Sequence, residues 1–178
     1  MHIVAMSGSL RAESSNARLL RAAARIAPAG LQFTFYDRQI GALPHFSPDL
    51  DGEGVIAPPA VTDLRRLLGA ADGVLICCPE YAHGVPGAFK NALDWIVSSG
   101  ELTDKRVALI MASASGAEQA RAALTPTLKV MGAHLVFDQS LVLSPRYLAE
   151  DGTISDAHTA RVIREAIEAL ASGRAQGD

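Results

Sequence analysis

Five short apolar runs are spread along the chain, and each is followed by a segment whose apolar residues recur at helical spacing. The runs start near residues 2, 31, 73, 107 and 135. The helical segments cover residues 15–27, 60–68 and 86–100, a stretch from Gly116 to about Met131, and residues 156–170. This alternation predicts a single α/β domain over residues 1–178, in which helices cover a parallel sheet.

Several segments carry finer expectations. The run at residues 73–78 is apolar throughout, which is typical of a parallel strand that is buried on both faces. Residues 135–137 form the fifth strand, and residues 141–143 are either its continuation or a separate edge piece. We expect Pro126 to kink or locally break its helix, because proline lacks the N–H that the helix uses. Residues 37–59 show no period, so we expect a functional or mobile connection there.

Two strand orders are compatible with this alternation. In the Rossmann order the first and third strands are separated, whereas in the order 2-1-3-4-5 they are neighbours at the switch point of the sheet. The two most distinctive loops of the sequence follow these same two strands. Because the order 2-1-3-4-5 brings both loops to one crevice, we predict a flavodoxin-like three-layer α/β/α sandwich with a five-stranded parallel sheet.

The first of these loops, residues 6–16, is rich in serine and leads directly into a helix. Backbone N–H groups and the positive end of that helix would point at an anion, and Arg11 adds one cation. The loop lacks both the P-loop motif and the dinucleotide fingerprint, so a terminal phosphate monoester is the favoured ligand. The alternative is a surface loop in which Ser14 or Ser15 only caps the helix.

Composition and charge remove several classes of function. The chain has 178 residues, 49% of them hydrophobic, with a net charge of -3 and no basic stripe, which argues against disorder and against nucleic-acid binding. The apolar residues begin at Ile3, so we expect no signal peptide, and we expect no membrane span. Adjacent Cys77 and Cys78 would point to opposite faces of a strand and have no metal-ligand spacing, which favours a cytoplasmic protein without a metal.

The two loops together resemble the NADPH-dependent FMN reductase family, flavodoxin-like proteins that include quinone, azo-dye and chromate reductases. The first motif is Gly8-Ser9-Leu10-Arg11-x-x-Ser14-x-Asn16. The second is Pro79-Glu80-Tyr81-x-x-x-Val85-Pro86-Gly87-x-x-Lys90-Asn91-Ala92-x-Asp94-Trp95. Weaker similarity covers the segment from Leu43 to Leu50 and the turn from Ser113 to Gly116.

The resemblance implies FMN as cofactor and assigns residues to it. The phosphate would be bound by Ser9, Arg11, Ser14, Ser15 and Asn16. The isoalloxazine ring would lie along Pro79, Glu80, Tyr81, Ala82, His83 and Gly84 and be bordered by Ser113, Ser115 and Gly116. A substrate pocket would involve His45, Phe46, Tyr81 and His83. The family usually has Asn where this chain has Ala82, which leaves the acceptor preference open.

Three further side chains behind the second loop have open roles. Asn91 is expected to tie the loop at residues 79–86 by a side-chain bond, and Lys90 is either part of the site or solvated. Trp95 packs either at a subunit interface or against the sheet.

The function that the resemblance implies is NAD(P)H oxidoreduction. NADPH or NADH would reduce the flavin, and a quinone, azo compound, free flavin or similar small acceptor would then be reduced in the same slot. A homodimer or homotetramer is expected, with no nucleic-acid or membrane partner. The alternative is a flavodoxin-type electron-transfer protein, against which the long connection and the mild charge count.

Overall fold

The computed structural model of the protein describes residues 1–149 and 153–172. Its centre is a parallel five-stranded sheet with the order β2-β1-β3-β4-β5, which confirms the predicted flavodoxin-like arrangement. The strands are β1 His2–Ser7, β2 Gln32–Tyr36, β3 Gly73–Cys78, β4 Arg106–Ser113 and β5 His134–Val142. Every residue of β3 is buried, as its unbroken apolar sequence predicts.

Five α-helices cover the sheet on both faces. They are α1 Ser15–Ile26, α2 Pro59–Gly69, α3 Gly87–Asp94, α4 Glu118–Val130 and α5 Ala157–Ala171. Side chains of α1 and α5 share one hydrophobic core with one face of the sheet. Side chains of α2, α3 and α4 share a second core with the opposite face. The result is three layers with two separate cores. For the tail at residues 171–178 the sequence predicts fraying, and residues 173–178 lie outside the described residues.

Two features of β5 and α4 refine the sequence prediction. Strand β5 is continuous, so residues 141–143 are not a separate piece, and a register shift opposite Val107 and Ala108 leaves Val136 unpaired as a bulge. We expected Pro126 either to kink α4 or to break it, and the helix runs through Pro126 without a break. Ala122, whose carbonyl loses its helical partner there, is exposed, so water can satisfy that oxygen.

Helix α3 is shorter than the predicted segment at residues 86–100 and ends at Asp94. The guanidinium of Arg65, on α2, donates to the carbonyl oxygen of Trp95 through Nε at 3.0 Å and through Nη2 at 2.6 Å. That carbonyl is therefore occupied by a side chain from another helix, and the chain leaves the helix in a series of turns up to Gly100, which has a φ of +74°.

The long connection after β2 is tied to α2 and α3. It contains two short 3-10 helices, Arg38–Ala42 and Pro48–Leu50. Trp95 Nε1 donates to the carbonyl of Pro44 at 2.8 Å, and the indole packs edge-to-face on Phe46 with the ring centroids 5.2 Å apart. The connection is thus held by the core, and Trp95 is fully buried within this chain.

Candidate functional site

A polar cleft of about 200 Å³ opens at the carboxyl edge of the sheet, where β1 and β3 lie side by side. This is the switch point of the fold, the place where open α/β sheets bind ligands. Nine of the fourteen predicted cofactor residues line the cleft: Ser9, Arg11, Ser14, Ser15, Asn16, Pro79, Glu80, Tyr81 and Ser113. The two distinctive loops of the sequence therefore do meet at one crevice.

Gly8 allows the first loop to pass close to β3. Its N–H donates to the carbonyl of Cys77 at 3.0 Å, which extends the β1–β3 pairing by one bond. A Cβ atom at this position would lie 2.3 Å from the Sγ of Cys78. No side chain fits there, so glycine is required for the close approach of the two backbones.

Serine hydroxyls fold the first loop and remain able to donate. The Oγ atoms of Ser7, Ser9 and Ser14 accept hydrogen bonds from the N–H groups of Ser9, Arg11 and Ala17. A hydroxyl that accepts from the backbone still carries its own hydrogen. In the cleft, the hydroxyls of Ser9 and Ser14 can therefore donate to an anion without loss of the loop structure.

The amino end of α1 supplies further donors. Ser14 is the N-cap, and its side chain satisfies the N–H of Ala17, the third residue of the helix. The N–H groups of Ser15 and Asn16, at the first two helical positions, have no partner within the helix and lie at the cleft. The first turn has no acidic residue, and Glu13 is exposed. The helix end and the exposed Arg11 both contribute positive electrostatic potential at this end of the cleft.

The side chain of Asn16 is buried at the cleft and joins α1 to two strands of the sheet. Its Nδ2 donates to the carbonyl of Ala112 on β4 at 3.2 Å, and its Oδ1 accepts from the thiol of Cys77 on β3 at 3.0 Å. Burial, aided by the neighbouring thiol of Cys78, raises the pKa of Cys77 well above its usual range. The thiol therefore stays protonated and remains a donor to Asn16.

The second loop forms a two-residue hairpin at the rim of the cleft. Tyr81 and Gly84 exchange both backbone hydrogen bonds, at 3.0 and 2.9 Å. Ala82 and His83 have positive φ values of 49° and 61°, as the two central residues of a type I′ β-turn require. Asparagine adopts this conformation more readily than alanine, which gives a backbone reason for the asparagine that is usual in the resembled family. Ala82, His83 and Gly84, which were predicted to lie along the ring, are not among the described residues that line the cleft.

The carboxylate of Glu80 is engaged by other groups of the protein, which leaves its expected backbone role at the ring untouched. Its Oε2 accepts the N–H of Ala120 at 2.8 Å, the third residue of α4, whose own N-cap residue Ala117 provides no side-chain cap. Its Oε1 lies 3.4 Å from Nδ1 of His83. Glu80 thus caps α4 from across the cleft and holds the hairpin to that helix.

The third wall of the cleft comes from β4 and from the residue after β5. Ser113 lines the cleft, but its hydroxyl donates to the carbonyl of Gly116 within the turn. Neither Ser115 nor Gly116 is among the described residues that line it, although both were predicted to border the ring. Ala112, Ala114 and Leu143 line the cleft without having been predicted. These residues could have been predicted from their positions at the carboxyl ends of β4 and β5, because open α/β sheets bind ligands at those ends.

A second cleft, of about 350 Å³, adjoins the first and shares Arg11 and Tyr81 with it. Its other lining residues are Gly8, Leu10, Pro86, Gly87 and Ala88. The ring of Tyr81 is about half exposed, and its hydroxyl lies 3.3 Å from Oγ of Ser9. Tyr81 therefore stands between a polar cleft and a largely apolar one.

Of the residues predicted for the substrate pocket, not all line the two clefts. Among the described residues that line the two clefts, Tyr81 is present, whereas His45, Phe46 and His83 are not. Asn91 also has another role than the one expected: Oδ1 accepts from the N–H of Phe46 at 2.8 Å, and Nδ2 donates to the carbonyl of Pro44 at 3.0 Å. It ties down the long connection after β2 and not the hairpin loop.

Residues 1–149 and 153–172 contain neither a metal-binding cluster nor a membrane-spanning helix. No group of three or more His, Cys, Asp or Glu side chains is placed to hold a metal ion. Over the same part of the chain, none of the helices combines the length and the apolar character needed to cross a bilayer.

Comparison with protein families gives one match that covers most of the chain. The model of the family described as NADPH-dependent FMN reductase matches residues 1–146. A protein from Pseudomonas aeruginosa named NAD(P)H-dependent FMN reductase is 31% identical over 174 residues, which cover 94% of this chain and 92% of that protein.

Other relatives match over a shorter range. A 2-hydroxy-1,4-benzoquinone reductase from a Burkholderia species is 41% identical over 95 residues, but this match covers 53% of the chain and only 49% of the relative. A quinone reductase from Escherichia coli is 36% identical over 96 residues, which cover 54% of this chain and 50% of the relative. The chain therefore spans only about half the length of each of these two relatives.

Among solved structures, FerB from Paracoccus denitrificans, a flavoenzyme NAD(P)H:(acceptor) oxidoreductase, superposes with a TM-score of 0.81. It is 29% identical in sequence, and the match covers 95% of this chain and 94% of that one. The azoreductase AzrA, at 18% identity and a TM-score of 0.61, shares the fold.

Proposed function

The chain belongs to the NADPH-dependent FMN reductase family, and from that premise we propose that it reduces small quinone-type acceptors with NAD(P)H through bound FMN. When bound, FMN supplies the redox chemistry, because its ring accepts a hydride and passes it on. The protein has to bind the cofactor, orient it and leave one face open. The observation that carries the proposal is the donor-rich cleft at the switch point of the sheet.

The donors of the cleft fit a phosphate monoester. We place the phosphate between the guanidinium of Arg11 and the free N–H groups of Ser15 and Asn16 at the start of α1. The hydroxyls of Ser9 and Ser14 can donate from the side of the loop, since their oxygens already accept from the backbone. A monoester is dianionic near neutral pH, and these five donor groups, one of which is the cation of Arg11, can bind it without a metal ion.

The ring would then lie toward the hairpin. Pro79, Tyr81 and the stretch from Ala112 to Ala114 form the wall of the cleft on that side. Glu80 contributes by capping α4, which fixes the position of the loop to which Tyr81 belongs. Because the carboxylate of Glu80 is bound to α4, we propose that the backbone of the loop, and not this side chain, contacts the ring.

We place the acceptor in the second cleft. Its walls are mostly apolar, which suits a flat ring, and it adjoins the first cleft at Tyr81. The name of the Burkholderia relative, a benzoquinone reductase, supports an acceptor of this class. Replacement of Ala88 by Trp should fill the cleft and raise the KM for a benzoquinone several-fold, while FMN binding stays unchanged. Ala122→Trp, at an exposed position on α4, is the matched control and should leave that KM unchanged.

We also propose self-association through the surface around Asp51 and Ser98, which are joined by a hydrogen bond of 2.6 Å. Exposed apolar side chains lie near this pair in sequence, and Ile56 is 94% exposed. The others are Leu50, Val55 and Val97. Such a group is typical of an interface. Light scattering should show a homodimer or homotetramer, and Ile56→Lys should shift it toward the monomer; an unchanged mass would place the interface elsewhere.

The cellular and domain assignments are proposals of the same kind. Cys77 and Cys78 are unpaired, buried thiols, which fits a reducing cytoplasm in which NAD(P)H is also available. The five-stranded sheet is continuous, which supports the action of residues 1–178 as a single FMN-binding domain.

The decisive experiment is FMN binding followed by turnover. Protein reconstituted with FMN should show flavin absorbance, and NADPH with 1,4-benzoquinone should give steady-state oxidation of NADPH. Arg11→Ala should weaken FMN binding about 10- to 100-fold, because a hydrogen-bonded cation at a phosphate contributes about 1.5–3 kcal/mol. Failure of the wild type to bind FMN would refute the proposal. Stable one-electron reduction without turnover would indicate an electron carrier.

A further inference from the structure

Cys77 is a buried residue of β3 whose thiol reaches the wall of the first cleft. Its Sγ lies 3.0 Å from Oδ1 of Asn16, and Asn16 lines that cleft. Its neighbour Cys78 points to the opposite face of the sheet, where its thiol donates to the carbonyl of Pro79 at 3.5 Å. The two cysteines are adjacent in sequence but belong to different cores, and it is the thiol of Cys77 that contacts the side chain of Asn16.

The partners of Asn16 settle the orientation of its amide. The carbonyl of Ala112 can only accept, so the amide nitrogen must face it. The amide oxygen then faces Cys77, whose thiol has to be the donor because that oxygen can only accept. An amide nitrogen carries two hydrogens, and the bond to Ala112 uses one of them. The second hydrogen is left for a ligand.

We propose that Cys77 is a positioning residue for the FMN phosphate: its thiol fixes the Asn16 amide so that the free Nδ2 hydrogen is held toward the cleft. The inference rests on the proposed function, since it needs a phosphate at the amino end of α1. It also explains why a thiol that is buried and protonated is useful at this place: a thiolate would repel both the amide oxygen and the phosphate.

Selectivity for the phosphate is the property that tests this role. Riboflavin lacks the phosphate but keeps the ring and the polyol, so the ratio of the riboflavin Kd to the FMN Kd reports the phosphate contacts alone. Both Kd values can be measured on the apoprotein by quenching of flavin fluorescence. Cys77→Ala removes the donor, whereas Cys77→Ser retains one. Cys78→Ala is the matched control, because it removes the neighbouring thiol from the other face of the strand.

We expect Cys77→Ala to weaken FMN binding about three- to tenfold, the effect of one lost hydrogen bond, and to leave riboflavin binding unchanged. Cys77→Ser should restore the FMN affinity, and Cys78→Ala should keep the wild-type ratio. Equal losses for FMN and riboflavin, no loss at all, or a serine variant as weak as the alanine variant would each overturn the proposal. A wild type that binds riboflavin as tightly as FMN would instead refute the phosphate site itself.

Discussion

Two loops that the sequence predicts to be functional differ in the partners of their hydrogen bonds: the first bonds mainly to itself, and the second bonds to neighbouring helices. In the loop at residues 7–16, serine oxygens accept from the loop's own N–H groups and keep their hydrogens for the cleft. In the connection at residues 37–58, polar groups are used by the neighbouring helices instead: Asn91 and Trp95 bind the carbonyl of Pro44, and Arg65 binds Asp51.

The difference between the loops lies in their spare donors. An anion site needs donors that the protein has not already satisfied, and the first loop keeps several at the end of α1. The connection has several of its donors and acceptors paired with side chains of α2 and α3, so it supports the core that carries the site. Variants in the first loop should therefore change affinity for FMN, whereas variants in the connection should change stability.

The largest effect should come from the connection. Trp95→Ala removes a fully buried indole, its hydrogen bond to Pro44 and its contact with Phe46. We expect the free energy of unfolding to fall by about 3–5 kcal/mol, as for other buried aromatic deletions. Urea unfolding measures this loss. Titration of the folded fraction should still show the wild-type affinity for FMN.

Trp95→Phe provides the graded control for this variant. It keeps most of the buried ring but cannot donate to Pro44, so about 1 kcal/mol should be lost. A large loss of FMN affinity in either variant would contradict the division between the two loops, because it would make the connection part of the binding site.

In the first loop, Gly8→Ala should affect both properties. The added Cβ would lie 2.3 Å from Sγ of Cys78, so β1 and β3 must move apart where the cleft begins. We expect a loss of about 1–3 kcal/mol in stability, typical of overpacking, together with loss of FMN binding. Thermal unfolding and flavin fluorescence measure the two effects.

Gly87→Ala is the matched substitution, because nothing lies within 4 Å of a Cβ there, and it should be tolerated. The double variant Gly8→Ala with Cys78→Ala removes the clashing sulfur and should recover part of the stability. If the double variant is no better than Gly8→Ala alone, contact with Cys78 is not the cause.

The fold and the first loop could be predicted from sequence because their signals are local. The unbroken apolar run of β3 indicates a parallel sheet, and the serines next to the start of α1 indicate anion binding. The partners of Glu80 and Asn91 could not be predicted in this way. Glu80 pairs with a residue 40 positions away and Asn91 with residues 45 and 47 positions away. Which group these side chains reach depends on how α3 and α4 pack, and periodicity does not carry that information.

A smaller effect on stability is expected at Asp51, whose contribution depends on pH. Burial opposes its charge, but hydrogen bonds from Arg65 and Ser98 and the charge of Arg65 hold the pKa of its carboxyl below the usual value. The folded-state pKa is thus lower than the unfolded-state pKa. The stabilisation is complete above the unfolded-state pKa and is lost as the pH falls through the folded-state pKa.

Asp51→Asn should therefore destabilise the protein by about 1 kcal/mol at neutral pH, a value that allows for screening by solvent. The two stability curves should converge as the pH falls below about 4, near the ordinary pKa of Asp. Urea unfolding at a series of pH values gives both curves. A constant gap between them down to acid pH would show that the effect of the substitution does not come from the ionised carboxylate.

The smallest effect is expected in the hairpin, which lies at the rim of the cleft and combines properties of both loops. Ala82 has a φ of 49°, a conformation that is unfavourable for alanine and better tolerated by asparagine. Ala82→Asn should raise the free energy of unfolding by about 0.5–1 kcal/mol, since it relieves part of that strain without adding the backbone freedom that glycine would give the unfolded chain. Ala12→Asn, in an exposed turn without a positive φ, is the control and should be neutral.

Because the side chain of Ala82 does not line either cleft, FMN affinity should stay the same in both variants. A changed KM for the acceptor in Ala82→Asn alone would show that the new amide reaches the substrate. A loss of stability in Ala82→Asn would mean that the turn between Tyr81 and Gly84 does not hold this backbone conformation in solution.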